Sequence, residues 1–123
     1  MFNGYKSSGK HMICDIRGIE NEVVLNNTRE LNKMLQHICD EYSFTVLSTT
    51  YHNFEPQGCS ILFLLSESHI SIHTFPEKNH LSFDIYTCRQ YDTNREYNEI
   101  YNFIIEYLNA SENSTFQIID RYF

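Results

Sequence analysis

No run of lysine and arginine occurs in the 123 residues, and the 9 basic side chains are outnumbered by 16 Asp and Glu, for a formal charge of −7. Nucleic-acid binding needs a basic patch or stripe, so no nucleic-acid partner is expected. No stretch of about 18 apolar residues exists, which argues against a membrane-spanning helix. The opening residues MFNGYKSSGK lack the apolar region of a secretory signal. Cys14, Cys39, Cys59 and Cys88 stand far apart with no Cys-x-x-Cys pair. They are therefore expected to be free thiols in a cytoplasmic protein. Repeats, low-complexity segments and any sign of a pyridoxal phosphate site are missing as well. What remains is a chain with 41% apolar residues, read as one domain over residues 1–123. A chain of this size buries roughly two-thirds of its unfolded surface, enough for one core. Its acidity suits a cationic small molecule, although acidity often serves only solubility.

Periodicity orders the elements. Residues 1–9 read as a mobile end. His11 to Arg17 alternates, with Met12, Cys14 and Ile16 on one side, and predicts a first strand. Residues 18–26 read as a connection. Asn27 caps a helix over residues 28–42, with Glu30 closing a capping box. The apolar face of that helix is Leu31, Met34, Leu35, Ile38 and Tyr42. Strands are expected over 44–54, 59–65, 71–75 and 80–86, the first two joined by a tight turn at Pro56-Gln57-Gly58. Thr93, with Glu96 three residues on, caps a second helix whose face is Tyr97, Ile100, Tyr101, Ile104, Tyr107 and Leu108. A polar loop over 109–114 leads to a last strand over 115–122. The expected fold is α+β: a two-layer sandwich of one mainly antiparallel sheet with two helices on one face. The other face is left free.

The stretch Leu64–Cys88 reads LLSESHISIHTFPEKNHLSFDIYTC. Ser66, Glu67, Ser68 and His69 interrupt the apolar residues 61–65 and 70–72, where a turn would set the Ser68 hydroxyl beside the carbonyl of the preceding peptide. His73 follows Ser68 by five residues and Cys88 by twenty. A hydroxyl, an imidazole and a thiol supply a nucleophile, a base and an acid. Strand parity sends His73, Phe75 and Glu77 to one side and Ile70, Ile72 and Thr74 to the other. Each residue alone has an ordinary reading: a turn serine, a satisfied strand histidine, a buried thiol, a loop carboxylate. His69 and His73 form His-x₃-His, but no further ligand is convincingly placed, so no metal is expected.

This stretch resembles the self-processing segment of the small prokaryotic S-adenosylmethionine decarboxylases. Their pattern runs Leu/Ile-x-Glu-Ser-His-x-x-Ile-His-Thr-Trp-Pro-Glu and then Asp-x-x-Thr-Cys-Gly. The counterparts here are Glu67-Ser68-His69, Ile72-His73-Thr74, Phe75-Pro76-Glu77, Asp84 and Thr87-Cys88. A weaker likeness covers Gly9-Lys10-His11, His52, Phe54, Pro56-Gln57-Gly58 and Ser60, so residues 9–90 are spanned. The resemblance implies that the Ser68 hydroxyl attacks the Glu67 carbonyl and that the chain splits into 1–67 and 68–123. Ser68 then becomes a pyruvoyl group, whose ketone forms a Schiff base with the substrate amine. The resemblance implies His73 as the base that takes the Ser68 α-proton, Ser60 as the serine that supports the oxygen intermediate of processing by hydrogen bonding, and Cys88 as the donor of a proton to the substrate. It further implies Phe54 and Phe75 beside the adenine and Glu77 on the ribose hydroxyls. The implied substrate is S-adenosylmethionine, the implied product the aminopropyl donor for spermidine synthesis. The implied assembly is a homodimer with its active sites at the interface, formed on the free face of the sheet.

Three departures stand out: Phe75 for the usual Trp, Arg89 for the glycine after the cysteine, and Leu81 for a small residue, which narrows the expected pocket. Pyruvoyl enzymes that look like this family also act on ornithine or arginine, which is the alternative substrate reading. A relative that never processes and serves as a binding or regulatory partner is the non-enzymatic alternative.

Overall fold

The structure, a computed structural model, describes residues 5–123. Its elements are β1 (Ser7–Ile16), α1 (Glu22–Leu25), α2 (Thr28–Glu41), β2 (Val46–Asn53), β3 (Cys59–Leu65), β4 (Ser68–Phe75), β5 (His80–Thr87), α3 (Arg95–Leu108) and β6 (Thr115–Tyr122). A single 3₁₀ turn, Pro76–Lys78, links β4 to β5. The strands form one six-stranded sheet in the order β2-β3-β4-β5-β1-β6, with every pairing antiparallel. The expected two-layer α+β sandwich is therefore present, with one short helix more than foreseen. Among the described residues no helix is long and apolar enough to cross a membrane.

Alternation builds the layers. In β4, Ser68, Ile70, Ile72 and Thr74 are buried, while the residues between them face the other way. β3 buries Cys59, Ile61, Phe63 and Leu65, and β5 buries Leu81, Phe83, Ile85 and Thr87. These side chains meet Leu31, Met34, Leu35, Ile38 and Cys39 of α2 and Tyr97, Ile100, Ile104 and Leu108 of α3. Tyr42 caps the C-terminus of α2 and Tyr101 packs at a tilt on Phe116 with ring centres 4.3 Å apart, and both stay partly buried against the core. Leu81 is fully buried on the helix side, so it does not narrow a pocket on the free face. Cys14, Cys39 and Cys59 are buried free thiols, and burial pushes Cys14 up to about 12 and Cys39 to about 11.

The differences from expectation sit at element ends. Of the end expected to be mobile, residues 1–4 lie outside the described residues, and Ser7 to Gly9 already belong to β1, paired with β6. Polar residues carry that pairing, so no apolar alternation announces it. α1 is four residues long, capped by Asn21, and too short for a helical period to show. The cap of α3 is Asn94, not Thr93, although the Thr93 hydroxyl accepts a hydrogen bond from the Arg95 N–H at 3.2 Å.

Asn27 caps α2 as foreseen: its side chain accepts from the Glu30 N–H at 3.1 Å. The Glu30 carboxylate accepts instead from the Tyr107 hydroxyl and ties α2 to α3. Replacing an N-cap Asn by Ala costs about 1 kcal/mol, because an orphan helical N–H loses its acceptor. Asn27→Ala is therefore expected to lower the unfolding free energy by about 1 kcal/mol in urea titration, and a change within about 0.3 kcal/mol would remove the cap from the account.

Candidate active site

Ser66 and Glu67 make a two-residue turn between β3 and β4, closed by the pairing of Leu65 with Ser68. Ser68 is thus the first residue of β4. Its side chain is buried on the helix side, opposite Thr87. Its Oγ has no hydrogen-bond partner among the described residues. A buried hydroxyl normally finds a partner, and Ser68 Oγ shares this lack with only Glu96 Oε1 and Tyr97 Oη among the described residues. The carbonyl one peptide upstream, that of Glu67, accepts from the Cys88 N–H at 3.4 Å. A hydroxyl beside a carbonyl held by an N–H donor has the parts needed for an acyl shift from nitrogen to oxygen.

Two neighbours hold this corner. Gly9 lies at a bulge in β1 with φ +112. A Cβ there would lie 2.0 Å from the Thr87 carbonyl oxygen and 2.6 Å from Cys88 Cα, so only glycine lets β1 pass so close to the Thr87–Cys88 backbone. Arg89 donates to the Glu67 carboxylate and the Tyr42 carbonyl, donates to the Ser43 carbonyl at 2.8 Å, and lies 4.2 Å over the Phe44 ring. It fastens the turn to the end of α2. The sequence offered only its position next to Cys88, and its partners are far away in the chain. The Cys88 thiol is free and exposed just past β5.

The other candidate residues gather at the far end of β4. Ser60 Oγ lies 2.6 Å from His73 Nδ1, the two residues being directly paired across β3 and β4. His73 shares the free face with Phe75, as parity predicted, and that face is opposite to the one Ser68 occupies. Five residues separate His73 from Ser68, roughly 16 Å along a strand at about 3.3 Å per residue. Phe54 and Phe75 are 49% and 42% exposed. Glu77 is exposed in the 3₁₀ turn, which breaks the strand alternation that had aligned it with His73. Within one chain, then, Ser60 and His73 come together near Phe54, Phe75 and Glu77. Ser68, Glu67 and Cys88 form a separate corner.

Between these corners, still on the free face, three residues of β1, β4 and β5 converge. His11 Nε2 and His69 Nε2 lie 2.5 and 3.0 Å from the same Asp84 Oδ2, and the Ser71 hydroxyl donates to Oδ1. His69 thus turns to His11 and Asp84, not to His73. Partial burial raises the Asp84 pKa, but the hydrogen bonds from Ser71, His11 and His69 outweigh it and hold the carboxyl below its ordinary value. A depressed carboxylate contributes stability that is present above its unfolded pKa of about 3.9 and is lost as pH falls through the folded value. The stability difference between the native chain and Asp84→Asn is therefore expected to shrink below about pH 4. Urea titrations across that range check it, and a difference that does not shrink in acid would contradict the network.

Known proteins share this sequence and shape. A family model described as S-adenosylmethionine decarboxylase matches residues 10–121. The chain is 43% identical over 84 residues to S-adenosylmethionine decarboxylase proenzyme 2 of Bacillus cereus strain ZK, covering 68% of each chain. It is 39% identical over 88 residues to the S-adenosylmethionine decarboxylase proenzyme of Methanococcus maripaludis (strain C5 / ATCC BAA-1333), covering 72% of this chain and 71% of that one. The crystal structure of the adenosylmethionine decarboxylase from Aquifex aeolicus VF5 superposes with a TM-score of 0.80 at 29% identity, over 94% of this chain and 92% of that one. The match runs through both corners of the sheet and nearly from end to end, and on it the chain belongs to the S-adenosylmethionine decarboxylase family.

Proposed function

We propose that the chain is a proenzyme that cuts itself between Glu67 and Ser68 and then decarboxylates S-adenosylmethionine. The observation that carries this reading is the buried, unpartnered Ser68 Oγ beside a Glu67 carbonyl held by the Cys88 N–H. The hydroxyl attacks that carbonyl carbon, the C–N bond breaks, and the peptide becomes an ester. The Cys88 N–H stabilises the oxygen that becomes negative on the way. Removal of the Ser68 α-proton expels the Glu67 carboxylate and leaves a dehydroalanine at 68. Its enamine takes up water and releases ammonia, leaving a pyruvoyl end. The corner fits such a group, since its precursor hydroxyl is already buried and free of hydrogen-bond partners among the described residues. The group supplies a ketone that takes up the electrons released with carbon dioxide.

The remaining residues bind substrate and move protons. Phe54 and Phe75 offer faces to the adenine and the sulfonium, and Glu77 accepts from the ribose hydroxyls. Cys88 donates the proton that replaces the carboxylate. The product carries the aminopropyl group used in spermidine synthesis. Because His73 lies on the opposite face of β4 from Ser68 and far along it, Ser68 and Cys88 of one copy work with Ser60, His73, Phe54, Phe75 and Glu77 of a second. The free face carries exposed Ile13, Leu62, Leu64 and Ile119, which support such pairing.

Two experiments test this reading. Intact mass under denaturing conditions is expected to give fragments 1–67 and 68–123 for the native chain and one uncut chain for Ser68→Ala and for His73→Ala alone. Co-expressing those two variants is expected to restore cutting of part of the His73→Ala chain, because each mixed dimer then holds one complete site. Full-length mass in the native chain overturns processing, and failure of the mixed pair to cut overturns the shared site. In the second experiment, Cys88→Ala is expected to process and to lose roughly 100-fold or more in release of labelled carbon dioxide, the usual scale for a lost general acid. Full turnover would assign the proton to another group.

A further inference from the structure

The cluster at the centre of the free face has no part in the chemistry proposed above. His11, His69 and Asp84 bring two imidazole nitrogens and one carboxylate oxygen within 4.8 Å of one another. From this convergence we propose that His11, His69 and Asp84 bind a divalent transition-metal ion of the zinc class.

The donor set and its setting carry the proposal. Two His and one carboxylate, with a fourth position open, form a set that zinc accepts, whereas magnesium and calcium favour oxygen ligands. Metal–ligand bonds of about 2.0–2.1 Å in a tetrahedral site put neighbouring donor atoms roughly 3.3 Å apart. The His69 nitrogen at 3.0 Å from Oδ2 needs a shift of a few tenths of an ångström, and the His11 nitrogen at 2.5 Å needs somewhat less than an ångström. The two imidazole nitrogens, within 4.8 Å of each other, must also close on one another, which rotation of the His11 and His69 side chains would have to supply. Three adjacent paired strands, β4, β5 and β1, hold the ligands. Ser71 occupies Asp84 Oδ1 and turns Oδ2 towards the histidines, the part that outer hydrogen bonds play around metal ligands. Within one chain the His69 side chain is 44% exposed, the most exposed of the three ligands. The rival account is a metal-free network in which both rings simply donate to the carboxylate.

The two accounts separate on the full-length protein as purified, stripped with a chelator and titrated with zinc chloride by calorimetry, then with cobalt(II) by visible absorption. The proposal expects one ion per chain and the d–d bands of a cobalt(II) centre with nitrogen and oxygen ligands. It expects binding at least about tenfold weaker in His69→Gln and about tenfold weaker in Ser71→Ala, as outer-partner losses commonly are. Asp84→Asn is expected to abolish binding, and Cys88→Ser to leave it unchanged. His69 is the most exposed of the three ligands, so its variant keeps the test open even where Asp84→Asn fails to fold; circular dichroism reports the fold in each case. No ion bound by the folded native chain, binding unchanged in His69→Gln, or binding lost in Cys88→Ser would each overturn the site. Intact mass read on each sample shows whether the chain tested is cut, so a loss of metal binding and a loss of cutting are told apart.

Discussion

The turn at Ser66–Glu67 sets the register of β4 on β3, and with it the face on which every central side chain falls. Pairing Leu65 with Ser68 puts Ile61 opposite Ile72 and Phe63 opposite Ile70, all towards the helices. The same pairing puts Ser60 opposite His73 on the other side. A slip of one residue exchanges the faces, sending Ile70 and Ile72 to solvent and His69 and His73 into an apolar layer. Burying those isoleucines contributes about 1.5–3 kcal/mol each, so the core enforces the register that the chemistry uses. Stability and function thus rest on one pairing, not on separate parts of the chain.

Arg89 shows how the corner around Ser68 is kept from drifting. The Glu67 side chain belongs to a turn, and turns are usually the looser parts of a hairpin. A lone exposed ion pair contributes only about 0–1 kcal/mol. Arg89 also donates to two carbonyls beyond α2 and packs on Phe44, which makes its fork a geometric anchor more than a source of net energy. Gly9 works from the other side by omission, since its missing Cβ lets β1 lie against the Thr87–Cys88 backbone.

Much of this was legible in the sequence. Alternation and helical spacing gave the central strands and both long helices, because each buries one face. The Ser68 segment stood out because polar residues interrupt two apolar runs. What escaped depends on contacts far apart in the chain or on elements too short for a period. His11 and Asp84 are separated by 73 residues and meet only through the pairing of β1 with β5. The partners of Arg89 at Tyr42 and Ser43 lie as far from it as the end of α2. Strand parity placed His73 and Phe75 on one side, and Glu77 is exposed like them, although Pro76 opens a 3₁₀ turn there that parity did not announce.

The strand order gives the bond between Glu67 and Ser68 a peculiar status. β1, β2 and β3 precede it and β4, β5 and β6 follow it, yet β1 lies between β5 and β6. Breaking that bond would leave two chains interlaced at three seams, β3 with β4, β5 with β1, and β1 with β6. Neither chain could leave without unzipping the sheet, so such a nick would cost the native state little. The unfolded state would change far more. Reassembly after unfolding would become an encounter between two molecules, sensitive to dilution, where an uncut chain closes on itself. Covalent continuity across residues 67 and 68 would serve the protein once, during its first folding, and the sheet would thereafter act as the tether.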